Sequence, residues 1–163
     1  MKIFILTCLM LACFVCRLGA QTNESDTLPH GRWEVTQITF EKNTDGRIET
    51  IRYNTTADTK DLIRFPQSME AGDSLRCVLS YFGIDEKRPA EYVLKGDRLT
   101  ITEGSIENSY QYNQIEGSLL ISIEYPYKTR QRSGERKLEN VTEKWVFRLT
   151  KTTRNEDTYE TEK

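Results

Sequence analysis

Residues 31–40 read Gly31-Arg32-Trp33-Glu34-Val35-Thr36-Gln37-Ile38-Thr39-Phe40. Side chains alternate faces along a strand, so Trp33 and Val35 share one side. Ile38 and Phe40 fall out of step with them unless a bulge at Thr36-Gln37 resets the period. A strand that bends in mid-course suits a sheet that closes on itself, and the stretch reads as the first strand of a small antiparallel barrel with Gly31-Arg32-Trp33 at its mouth.

The chain on the C-terminal side reads as a series of hairpins. Asn43-Thr44-Asp45-Gly46 is a turn sequence, and Arg47–Tyr53 is rich in β-formers. Residues 61–65 read as a short strand stopped by Pro66, with a turn at Glu70-Ala71-Gly72-Asp73. Residues 74–82 alternate well enough for a long central strand. Residues 90–95 and Arg98–Glu103 flank the two-residue turn Gly96-Asp97. Tyr110 and Tyr112 alternate on the next strand, residues 118–125 follow, and residues 141–151 form the last, with Trp145, Phe147 and Leu149 on one side and Lys144, Val146 and Arg148 on the other. No window sustains apolar spacing of 3.6 residues, so helix is confined to a turn near residues 56–62. The expectation is an all-β fold: a single antiparallel up-and-down β-barrel of eight or nine strands, since local connections favour a meander and closure removes exposed edges.

An early Gly-x-Trp opening a long bent strand resembles the lipocalin and lipocalin-like families. The likeness looks closest to the bacterial lipocalin-like domains of exported Gram-negative proteins, whose central hairpin is similar to residues 92–101 here. The resemblance implies that Trp33 plugs one end of the barrel and that an arginine of the last strand, here Arg148, packs over it. It also implies a small hydrophobic guest, although a Thr-Asp-Tyr motif and a disulfide are both missing.

Lys2 and the apolar run of residues 3–16, followed by Arg17-Leu18-Gly19-Ala20 and a polar stretch, read as a secretory signal peptide occupying residues 1–20. The run is too short to span a bilayer as a helix, so no transmembrane segment is expected in the mature chain. Lipoprotein anchoring through Cys13 or Cys16 is the less favoured alternative, because Phe14-Val15 follows Cys13 where a polar tether is expected. The expected location is therefore the periplasm or cell surface. Residues 21–30 read as a linker, 31–151 as the barrel and 152–163 as a disordered tail.

Removing residues 1–20 takes away Lys2 and Arg17, so the 23 basic residues fall to 21 against 25 acidic ones, a formal charge of −4. Such mild acidity argues against a nucleic-acid binder. Of the four cysteines only Cys77 stays, which leaves no internal disulfide and places stability on packing.

His30 is the one histidine, and it precedes the first strand. A nucleophile–base pair therefore has a single available imidazole, and a zinc site has no cluster to draw on. Cys77 lies on the apolar face of its strand, where a thiol behaves as a small hydrophobe. No catalytic residue, metal ligand or cofactor is expected, and the chain reads as a non-enzymatic binding protein. One hypothesis places a small lipophilic or amphipathic ligand in a barrel cavity lined by Trp33, Tyr92, Tyr110, Tyr112 and Tyr125, since strand tyrosines offer a ring and a hydroxyl. The alternative is a protein- or glycan-interaction module using the outer surface and the basic loop of residues 128–137. That loop carries Lys128, Arg130, Arg132, Arg136 and Lys137 and suits an anionic glycan or protein.

Overall fold

The structure is a computed structural model that describes residues 26–72, 74–130 and 138–152. The expected signal peptide, the tail from residue 153, and Arg132, Arg136 and Lys137 lie outside the described residues.

Among the described residues nine strands follow one another: β1 (Gly31–Thr44), β2 (Arg47–Tyr53), β3 (Ser68–Ala71), β4 (Arg76–Ser80), β5 (Arg88–Lys95), β6 (Arg98–Glu103), β7 (Ile106–Ile115), β8 (Ser118–Arg130) and β9 (Leu138–Lys151). All pairings are antiparallel between neighbours from β3 to β9. β1 closes the circle, because its first residues pair with β3 while nearly its whole length pairs with β9. The result is a closed eight-stranded up-and-down barrel, consistent with a lipocalin-like fold, with β2 as a ninth strand outside the circle.

The bend in β1 makes this possible. Its register against β9 shifts between Val35 and Gln37, so Thr36 is the extra residue of a bulge. Before the bulge β1 has β3 beside it; after it, Ile38 to Thr44 turn to β2. Trp33 and Ile38 are both buried as a consequence, although they stand an odd number of positions apart.

The barrel has two unlike ends. At one, Trp33 is buried and its indole Nε1 donates to Pro29 O at 2.8 Å, while the Leu28 amide donates to the Tyr92 hydroxyl at 3.2 Å. Leu28 is buried too, so the segment read as a linker is partly core. Gly31 sits at φ +123°, and a Cβ there would lie 2.8 Å from Lys151 Cε. A side chain at residue 31 would thus meet both a disfavoured backbone and the Lys151 stem.

Sequence reading erred most between β2 and β4. Residues 61–65 form no strand: a short 3-10 helix, Thr56–Thr59, is followed by irregular chain up to β3. Phe65 turns into the barrel instead, stacked on Phe147 with ring centroids 3.8 Å apart and edge-on to Tyr110 at 5.6 Å. Glu70 and Ala71 belong to β3 rather than to a turn, and β4 is only five residues long, with Leu75 and Phe82 exposed beyond its ends. At the far end β8 and β9 run on as a long ribbon. Lys128 and Arg130 accordingly lie in β8, opposite Asn140 and Leu138, not in a loop. Among the described residues no helix is long and apolar enough to cross a membrane.

Candidate functional site

The five aromatic residues expected around a cavity differ in burial and in partners. Trp33 and Tyr92 are buried at the closed end with their polar atoms engaged, as above. Tyr110 is buried against Phe65, and burial raises its phenol pKa to about 12. Tyr112 is half-buried and donates to Gln114 Oε1 at 3.2 Å. Tyr125 is 45% exposed on the ribbon beyond the barrel. Phe65 stands in the interior among them, stacked on Phe147 and edge-on to Tyr110.

Arg148 does not close the barrel over Trp33. It is exposed between buried Phe147 and Leu149, so strand alternation puts it on the outer face, where its carbonyl accepts from Thr36 Oγ1. The last-strand residue that pairs with Trp33 is Lys151, whose stem lies against Gly31.

A polar cluster stands near the junction of β4, β5 and β6. The Tyr81 hydroxyl donates to Glu103 Oε2 at 2.6 Å, and Arg88 Nη1 donates to Glu103 Oε1 at 2.8 Å. Arg64 lies with its guanidinium carbon 4.8 Å from the Tyr81 ring centroid. The Tyr81 hydrogen bond, then Arg88, hold the Glu103 carboxyl below the usual range against the opposing effect of burial. Burial and the Glu103 contact push the Tyr81 phenol well up. Each group is thereby fixed further into its neutral-pH form, the reverse of what proton transfer near neutrality requires. Cys77 is similar: burial pushes its thiol up to about 11, which suppresses the thiolate a nucleophile needs. Among the described residues, no group of three or more His, Cys, Asp or Glu side chains could hold a metal ion.

Three concave sites formed by described residues lie on the outside of the barrel. The largest, about 750 Å³, crosses β3, β4, β5 and the end of β6. Glu70, Val78 and Pro89 are neighbours across three strands, and Arg76, Glu91 and Thr102 likewise, so these six share the outer face. Ala71, Cys77 and Ala90, small and inward-facing, lie beneath. Gly31, Gly72 and Gly104 add no side chains to the rim, and His30 stands beside Gly31. A depression results where short side chains coincide on a curved wall. Its polar groups have both signs: Arg76 lies 3.9 Å from Glu91, both well exposed, and Glu70 is nearby. Two smaller hollows, of about 390 and 470 Å³, lie on the outer faces of β7–β8–β9 and of β2–β1–β9.

The chain matches no protein-family model, no curated protein and no solved structure.

No sequence signal pointed to the groove. Alanine, cysteine, valine and proline in three different strands carry no motif, and only the strand register brings them together.

Proposed function

We propose that the protein is an exported, non-enzymatic binding protein of lipocalin-like architecture that holds a small amphipathic molecule in the outer groove across β3–β6. The groove carries this reading: in the interior Phe65, stacked on Phe147, takes up part of the space, while the groove has the volume of an ordinary ligand site and an apolar lining. Its apolar lining suits a hydrocarbon or ring, and Arg76, Glu91 and Glu70 can orient a polar end. The thiol and the phenol both lie far from activation, which supports binding over catalysis.

The probe 1-anilinonaphthalene-8-sulfonate combines rings with a charge and brightens on leaving water. Val78→Glu sets a carboxylate in the groove on a half-exposed position, where it repels the sulfonate, so it should weaken probe binding at least tenfold with the far-UV spectrum unchanged. Unaltered binding by that variant would remove the groove from consideration.

A further inference from the structure

Closing the barrel leaves several stretches of strand with a partner strand on one side alone among the described residues, and two of them are built differently. β7 pairs with β8 only as far as Ser122, so residues 123–130 have β9 on one side alone. That edge contains Pro126, which has no amide to offer, together with Lys128 and Arg130. Such residues are the usual defence of an exposed edge.

β2 has no proline, and its three charged residues, Arg47, Glu49 and Arg52, are of both signs and so leave it without a uniform repulsion. It pairs with β1 and with no other described strand, and six of its seven residues are exposed. Ile48 is 64% exposed on one face and Ile51 48% on the other. Ile48, Thr50 and Ile51 are β-branched and fit a pleated surface, so the edge is a ready template for another strand.

We infer that a second copy of this chain adds to this edge, β2 against β2 and antiparallel, with Thr50 opposite its own counterpart. A two-fold axis normal to the sheet keeps each face on its own side, so each residue must lie opposite one of the same parity. Centred on Thr50, the register uses the whole strand. Arg47 then faces Tyr53, Ile48 faces Arg52 and Glu49 faces Ile51. A guanidinium meets a phenol ring, an arginine stem covers an isoleucine, and no like charges lie directly opposite. Centring on Glu49 would set two carboxylates against each other, and centring on Ile51 would shorten the ladder. A two-fold contact demands self-complementarity, and β2 supplies it along its full length. The contact is small beside the roughly 1,600 Å² of a standard interface, so association is weak and depends on concentration.

The test uses the full chain carrying Thr50→Cys, with wild type and Ile48→Cys in parallel, oxidised at high concentration and read by non-reducing electrophoresis and intact mass. Directly opposed residues have Cα atoms about 4.5–5.5 Å apart, within reach of a disulfide. Thr50→Cys should give at least tenfold more reducible dimer than Ile48→Cys, whose counterpart lies away from the axis. In sedimentation velocity the wild-type mass should rise with concentration, and Ile48→Lys, which sets a cation against Arg52, should weaken that rise at least tenfold. The inference is overturned if Thr50→Cys stays monomeric while its thiol titrates, or if it cross-links no better than Ile48→Cys.

Discussion

Replacing Phe65 by alanine takes away a ring buried inside the barrel, and the structure sets the size of the effect. The side chain is 5% exposed, stacks on Phe147 at 3.8 Å and meets Tyr110 edge-on at 5.6 Å. An aromatic side chain buries about 150–250 Å², which at about 25 cal/mol per Å² is an upper bound of roughly 4–6 kcal/mol. Measured Phe→Ala substitutions in cores cost about 3–5 kcal/mol. Phe65 is held by irregular chain, not by a strand, so partial collapse of residues 60–67 into the void favours the lower half, about 3–4 kcal/mol. With a urea slope of about 2 kcal/mol per M, the midpoint should fall by roughly 1.5–2 M. Phe65→Leu keeps most of the volume and should cost about half as much. Equilibrium urea unfolding followed by tryptophan fluorescence measures this, since Trp33 and Trp145 are both buried. A midpoint shift under about 0.3 M for Phe65→Ala would refute the placement of Phe65 in the core.

Four further outcomes follow from the same geometry. Glu103 has a depressed folded-state pKa, so its contribution to stability is present above the ordinary carboxylate range and is lost as pH falls through the depressed value; Glu103→Gln should flatten the acid limb of the stability profile. Tyr81 has a raised one, so its contribution is whole below the ordinary phenol pKa and declines as pH rises past it, and Tyr81→Phe should weaken that alkaline decline while costing about 1–2 kcal/mol at neutral pH for the lost charge-assisted hydrogen bond. Cys77, buried with a thiol pKa near 11, should resist a water-soluble disulfide reagent in the native protein and react fully in denaturant. Gly31→Ala should cost about 1–2 kcal/mol even when Lys151→Ala opens the space, because the positive φ persists.

Much of the architecture is written in local pattern. The parity conflict between Val35 and Ile38 announces the bulge that the β1–β9 register contains, and Gly96-Asp97 between apolar alternations marks the β5–β6 hairpin. The alternation of β9 already placed Arg148 opposite in direction to Phe147 and Leu149; the family likeness suggested otherwise, and alternation agreed with the structure. Phe65 was not legible. One aromatic residue in a polar stretch before a proline fits a short strand as well as an insertion, and its partner Phe147 lies far along the chain. The same holds for Tyr92, whose hydroxyl is taken by a backbone amide from before the first strand. Tyrosine spacing shows which residues face inward, but not whether the space between them is already filled. The groove is a property of register and curvature, created where small side chains of separate strands coincide.

Amide chemical-shift mapping of the labelled protein, titrated with 1-anilinonaphthalene-8-sulfonate, tests the central claim most directly. The account predicts saturable shifts at residues 76–78, 90–91 and 102, around the outer groove, with the amides of Leu99, Tyr110 and Ile121 unmoved. Shifts concentrated at Leu99, Tyr110, Ile121 and Phe147, with the groove silent, would place the guest inside the barrel and contradict it.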